Sequence, residues 1–365
     1  MRPTSIGTVP PACARERLEE GASVGHARHL IQSKGLHKGN LLLFAAMPRT
    51  VLAMTALVAA AVAVTAGQAP ALEVLELRPN FYMIAGAGSN IAVQVGEDGV
   101  VVVDSGMQAS SDAVLAAIKK ISPKPIRYVI DTSADPDHVG GNERLSKAGQ
   151  TLFTGRTIGL PSEFQGSAAS ILATENVLTR MTAARPEYPT AALPSETFFY
   201  PRKYMYLNGE GIEILHQPNA HSDGDVFVFF RRSDIVVAGD ILDTNRFPVI
   251  DVARGGSIDG EIAALGRLVD LAIPSVPIVS REVGTSIIPG HGHVFDQVDA
   301  VDYRDMVTII RDRVRDLIKA GKMLEQVKAT DPARGFKGRF GAATGPWTTD
   351  QFVEAVYKSL VAPKS

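Results

Sequence analysis

From Leu72 onward, apolar positions recur in short runs, some alternating with polar residues and some apolar throughout, separated by Gly, Pro, Asn or Asp. Leu72 to Leu77, Phe81 to Ala85, Ile91 to Val95 and Val100 to Val103 are four such runs, divided by Pro79-Asn80, Gly86 to Asn90 and Glu97-Asp98-Gly99. Short β-type runs with turn residues between them predict a meander of hairpins. Ser111-Asp112 then caps a helix through Lys120, Ile126 to Ile130 predicts a buried strand, and Asn142-Glu143-Arg144-Leu145 begins another helix. Thr151 to Phe153 reads as a further short strand and Ser170 to Thr182 as a helical run. Gly155 to Lys203 otherwise carries little periodicity. Long irregular segments often line a site, so this stretch, with Tyr188, Phe198, Phe199 and Tyr200, is either a substrate-facing wall or ordinary aromatic packing.

Further on, Ser257-Ile258-Asp259-Gly260 starts a helix through Leu271. Tyr303 to Lys319 places Met306, Ile309, Ile310, Val314, Leu317 and Ile318 on one face, with Gly321 as a stop. Thr348-Thr349-Asp350 caps a last helix with Phe352, Val353, Val356, Tyr357 and Leu360 inward, after a Gly- and Arg-rich linker from Thr330 to Gly345. No internal repeat appears, and nothing after residue 70 divides the chain sharply.

The start of the chain is different. Residues 1–46 are rich in Arg, Gly, Pro and Ser with no sustained period, which reads as a disordered segment or one upstream of the true start. Met47-Pro48-Arg49-Thr50 followed by the apolar Val51 to Thr65 has the layout of a secretory signal over 47–69, with Val64-Thr65-Ala66 or Gly67-Gln68-Ala69 at the cleavage site. That apolar stretch, about 15 residues, is shorter than the roughly 20 of a membrane span, the alternative reading being an uncleaved anchor. Export to the periplasm or medium is therefore expected, with no membrane partner beyond the signal. The formal net charge of −2 argues against nucleic acid, which is held mainly by an excess of Lys and Arg. A small-molecule substrate is the expected partner. The only cysteine, Cys13, lies in the upstream segment, so any metal must be held by nitrogen and oxygen.

Four junctions carry candidate chemistry. Ile126 to Ile130 runs into Asp131-Thr132-Ser133-Ala134-Asp135-Pro136-Asp137-His138-Val139-Gly140-Gly141-Asn142. Gly211 to Gln217 runs into Asn219-Ala220-His221-Ser222-Asp223-Gly224-Asp225, Ile235 to Ala238 into Gly239-Asp240, and Thr285 to Ile288 into Pro289-Gly290-His291-Gly292-His293. An apolar run ending in Gly, Pro or Asn beside Asp or His, repeated at wide spacing, suggests that several strand ends converge on one pocket.

These motifs, together with Val103-Asp104-Ser105-Gly106, resemble the metallo-β-lactamase superfamily of metallohydrolases, in order and spacing, over Leu72 to Val294. The resemblance implies an α/β fold, a four-layer αββα sandwich over 70–298, here with a C-terminal helical extension over 299–365 packed on it. It implies a site at one edge of two β-sheets. The family's leading motif is His-x-His-x-Asp-His, and in this chain Ser133 and Asp135 stand where the two leading histidines would be. By resemblance the first metal site is left with Ser133, Asp135 and His221. The second, Asp137, His138 and His291, is complete, with Asp240 in the position that bridges both. Zinc (Zn) suits the second set, whereas an oxygen-rich first set suits manganese or iron(II), or no ion.

The expected activity is metal-dependent hydrolysis of an ester, lactone, thioester or amide by metal-activated water. Asp137 and Asp135 are the catalytic candidates, with Asp135 or His221 as general base. The rival expectation is a catalytically degenerate envelope protein that binds a metal or ligand. Asp104 is expected to support the site loop, and His216 and His293 to support ligands or face solvent. Arg246 is read either as a clamp for an anionic substrate or as a solvated surface charge.

Overall fold

Val100–Val103 (β4) has no polar face, and it lies in the middle of a sheet covered on both sides. In this computed structural model, residues 71–152, 168–275 and 284–362 are described. The upstream segment, the signal-like stretch, Cys13, Phe153 and the first part of the segment from Gly155 lie outside the described residues. The chain from Gln68 to Ser365 forms one unit.

Among the described residues the first sheet has seven strands in sequence order. These are β1 (Glu73–Arg78), β2 (Phe81–Ala85), β3 (Ile91–Val95), β4, β5 (Ile126–Ile130), β6 (Ser170–Thr174) and β7 (Glu196–Phe198). The first four pair antiparallel as hairpins, while β4 to β7 pair in parallel, which requires crossover connections. The second sheet runs β12 (Ser286–His291), β11 (Ile235–Asp243), β10 (Val226–Phe230), β9 (Glu210–His216), β8 (Arg202–Leu207), with only β11 and β12 parallel.

Among the described residues, side-chain alternation sorts the strands into three main cores, beside a small fourth cluster of Val139, Ala173, Val177 and Met181. Phe81, Met83, Val101, Val103 and Ile130 face Ile212, Ile214, Val228, Phe230 and Val237 across the two sheets. Ile84, Val93, Val100, Val102 and Val129 face outward onto α1 (Ser111–Ile121) and α3 (Asn142–Ala148) through Val114, Ile118 and Leu145. Phe227, Val236 and Ile287 face the other way. They pack on α5 (Ile258–Leu271), α6 (Gln297–Lys319) and α9 (Thr349–Val361) through Leu265, Leu268, Met306, Ile310, Phe352 and Val356. The layers are therefore αββα, as the resemblance implied. The C-terminal helices, α6 and α9 with the short α7 (Leu324–Ala329) and α8 (Lys337–Phe340) between them, complete the fourth layer together with α5.

Several local expectations change. Ser170–Thr174 is strand, and only Glu175–Ala183 (α4) is helix. Ile171 points to the helix-covered core and Leu172 to the sheet–sheet core, so the run is apolar on both faces and mimics a helical pattern, while Thr174 caps α4 by accepting from the Val177 amide. Thr151 and Leu152 are not strand; the chain here only passes beside β5, with the Gln150 amide bonded to the Ile126 carbonyl. Strands β7, β8 and β10 were not expected. Edge strand β8 shows exposed Tyr204 and Tyr206 instead of an apolar alternation, and the uninterrupted Val-Phe-Val-Phe-Phe of β10 is buried nearly throughout. Helix α6 begins at Gln297, where Asp296 and Asp299 form a capping box, so a division at 298/299 falls inside its first turn.

Candidate metal centre

The loops after β4, β5 and β9 and the C-terminal ends of β11 and β12 meet at one rim of the sandwich. Asp137 and His138 lie on the single-turn helix α2 (Pro136–Val139). Asp240 lies within β11 and His291 ends β12. The rim is drawn tight at two glycines of ordinary φ: a Cβ on Gly140 would lie 2.5 Å from the Gln108 nitrogen, and one on Gly141 2.3 Å from the Ser105 carbonyl oxygen. Close approach of two loops, more than turn freedom, therefore explains Gly140-Gly141. Gly239 differs, with a φ of 56°, a left-handed turn that glycine accommodates.

Two ligand groups result. Asp137, His138 and His291 offer atoms within 4.8 Å of one another, and so do Asp135, His221 and Asp240. Asp240 sits between them. Its Oδ1 is 3.0 Å from His138 Nε2 and 3.2 Å from His291 Nε2, and its Oδ2 is 3.9 Å from His221 Nε2. Asp137 Oδ2 lies 3.3 Å from His291 Nε2. All six predicted ligand residues are thus brought together. Ser133 is buried and its Oγ accepts from the Asp135 amide at 3.2 Å, a local turn contact outside both groups.

The protonation pattern of the histidines is set from behind. His138 Nδ1 donates to Asp104 Oδ2 at 2.8 Å, and Asp104 in turn accepts from the Thr132 amide and hydroxyl. His138 Nε2 is fully buried and, apart from its 3.0 Å ion pair with Asp240 Oδ1, makes no hydrogen bond. An imidazole nitrogen without a hydrogen bond, aimed between two carboxylates and a second imidazole, is a donor set suited to a divalent ion. His221 Nδ1 donates to the Val249 carbonyl at 2.8 Å, which leaves Nε2 facing Asp135 Oδ2 at 2.7 Å.

Charge is dense here. Burial alone would lower the His138 pKa, but Asp240 and Asp104 raise it well above its ordinary value. Burial likewise opposes the charge on His221, and the Asp135 hydrogen bond and the carboxylates around it outweigh that. His291 is pushed up to about 9: burial lowers it, and Asp137 and Asp240 more than compensate. Burial would raise Asp240, yet His138, His291 and His221 hold it well below the carboxylate range. Asp137 and Asp135 are also lowered against their burial, the first mainly by His291, the second mainly by His221 and also by Arg254.

Some neighbours were not anticipated. Arg254 contacts Asp135 Oδ1 through Nη1 and Asp251 Oδ2 through Nε at 3.1 Å. In the sequence it is one arginine before a glycine, and only the fold places it across from Asp135. Glu261, on α5, is fully buried with neither oxygen bonded, and burial raises its pKa well above the ordinary value. Arg246, by contrast, is bound to the buried Asp243 and takes no part in the two groups. His216 Nε2 bonds the Asp223 carbonyl and His293 Nδ1 the Thr244 hydroxyl, so both support loops.

A cleft of about 800 Å³ opens beside α2, lined by Met107, Ala134, Pro136, Pro186, Tyr188 and Arg254. Part of the poorly periodic segment is thus a wall. Phe199 and Tyr200 stack on each other, exposed and away from the cleft, and Phe198 is buried between the sheets. A larger cleft of about 1180 Å³, lined by Asn80, Gln94, Asp98, Asn208 and Arg232, lies at the hairpin end of the strands, remote from the histidines.

Among curated proteins none matches the chain. Among solved structures, the stereoselective inverting sec-alkylsulfatase Pisa1 from Pseudomonas sp. is similar with a TM-score of 0.53 and 15% identity, over 80% of this chain and 50% of that one. This chain thus spans about half the length of that protein. A metallo-beta-lactamase from Pontibacter korlensis is similar with a TM-score of 0.49 and 17% identity, over 65% of this chain and 99% of that one. At such identities the likeness is one of fold. The family model of the metallo-beta-lactamase superfamily matches residues 84–276, more than half of the chain and four of the five strand ends that meet at the rim. With the αββα layers and the convergent Asp and His residues, this chain belongs to the metallo-beta-lactamase superfamily.

Proposed function

We propose that this protein is an exported, metal-dependent hydrolase of an ester, lactone, thioester or amide, with a zinc ion held by Asp137, His138, His291 and Asp240. The observation that carries the reading is the buried Nε2 of His138, without a hydrogen bond and facing two carboxylates and the His291 ring. Membership of a family with hydrolase neighbours supports the reaction class, and the signal-like stretch from Met47 supports export. The chemistry supplied by the ion when bound is activation of water and polarisation of the scissile oxygen. Asp104 holds the Nδ1 proton of His138 and so aims Nε2 at the position the ion would take. Asp137, whose side chain is 27% exposed, would hold the ion through one oxygen and take the water's proton on the other. Asp135 is a weaker base, because His221 and Arg254 stabilise its charged form.

The test is metal content of the purified protein and a hydrolysis screen in zinc, manganese and iron(II), for the parent and for Asp137→Ala and His138→Ala. Bound metal and turnover in the parent, both lost in the variants, are expected. A parent that binds no transition metal overturns the reading. The second reading, a degenerate metal- or ligand-binding envelope protein, is favoured by the engagement of both Asp135 oxygens. Bound metal without turnover in any of the three ions would leave it in place.

A further inference from the structure

The two ligand groups differ in spacing. Around a tetrahedral ion with bonds of about 2.0–2.1 Å, neighbouring donor atoms lie roughly 3.3–3.4 Å apart. The pairs His291–Asp137 at 3.3 Å, His291–Asp240 at 3.2 Å and His138–Asp240 at 3.0 Å come close to that spacing. His221–Asp135, at 2.7 Å, is shorter than any of these and makes a direct hydrogen bond, which none of them does. The other oxygen of Asp135 is taken by the Arg254 guanidinium.

Arg254 is itself firmly placed. Its Nε reaches Asp251, its amide bonds to the same carboxylate, and its carbonyl accepts from Arg180 and from the Asp223 amide. A fixed positive charge therefore sits where it repels any cation approaching Asp135, and it already neutralises the carboxylate that such an ion would need.

Resting on the reading of this rim as a metal centre, we propose that Arg254 takes the place of the first metal ion: it locks Asp135 and His221 into a hydrogen-bonded pair and limits the protein to one ion per chain. The missing histidines at Ser133 and Asp135 are then one half of a replacement whose other half is this arginine, more than 100 residues further along.

The experiment is metal stoichiometry of the full chain by elemental analysis and by calorimetric titration with zinc and with manganese, with circular dichroism to verify folding. The parent is expected to saturate at one ion. Arg254→Met, which keeps the length and removes the charge, is expected to take up a second ion. Arg254→Lys, which keeps the charge, is expected to stay at one and serves as the folded control. A parent that binds two ions, or a folded Arg254→Met that still binds only one, overturns the assignment. A parent that binds none overturns the metal-centre reading itself, so the two failures are told apart.

Discussion

Asp104 Oδ2 lies 2.8 Å from His138 Nδ1, with both side chains buried and the Asp104 backbone at a φ of 63°. A carboxylate can only accept there, so Nδ1 carries the proton and Nε2 is left for a metal. Asp104→Asn keeps the size and tolerates the left-handed backbone, but its amide allows the ring to carry the proton on Nε2 instead. Metal affinity should fall about 10–100-fold with little change in folding. Competition against a chromophoric chelator, with a thermal melt alongside, measures both.

The histidine shifts make a signed prediction about pH. His291 titrates near 9 in the folded, metal-free protein against an ordinary 6.5. Its stabilising contribution is complete below 6.5 and is lost as pH rises from 6.5 through about 9. Asp137 and Asp240 are shifted down, so their contribution is present above the ordinary 3.8 and is lost on acidification. Chelator-treated protein should therefore be most stable between about pH 4 and 6.5, and His291 accounts for a decline on the order of 3 kcal/mol above that window. Metal affinity should run the other way and rise with pH up to about 9, because the ion displaces protons. Denaturant melts and titrations across pH test the opposed trends.

Gly141 has a φ of −86°, which any residue can adopt, but a Cβ there would lie 2.3 Å from the Ser105 carbonyl oxygen. Gly141→Ala should cost about 1–3 kcal/mol through overpacking. It should also weaken metal binding, because it pushes the Asp104–Ser105 loop away from His138. Were backbone freedom the reason for glycine, the substitution would be harmless, so a melting temperature equal to the parent's counts against this account.

Phe352 on α9 stacks on Phe247 with centroids 4.8 Å apart and planes 5° apart, and neither ring is more than 1% exposed. Phe352→Ala should destabilise the whole unit by about 3–5 kcal/mol, the usual cost of emptying a buried aromatic site. A single cooperative transition at lower denaturant would show that the C-terminal helices unfold with the sheets; two separate transitions would count against that.

Much of this was legible in the sequence, for identifiable reasons. The β2, β3, β4 and β5 runs have the expected ends because Pro-Asn, Gly-rich and Asp-Gly turns bound them. The Asp137, His138, His221, Asp240 and His291 positions came from motifs at strand ends, where the topology brings them to one rim. What failed to show depends on tertiary placement. Ser170–Thr174 is apolar on both faces, β8 is an edge strand with exposed tyrosines, and β10 follows a charged loop that masks its start. Arg254 and Glu261 were invisible as site neighbours because nothing local distinguishes an arginine that meets Asp135 from one that meets water.

All seven strands of the first sheet precede residue 199 and all five of the second follow residue 201, so the sheets are consecutive halves of the chain. Asp135, Asp137 and His138 come from the first half; His221, Asp240 and His291 come from the second. Neither half alone holds a complete ligand set. The set Asp137, His138 and His291 is therefore complete only when the end of β12 has joined the rim. The two sheets bury each other across one core, so the ligands meet only when both halves have folded together, and a chain cut between Phe199 and Pro201 should regain the site only when its two parts reassociate.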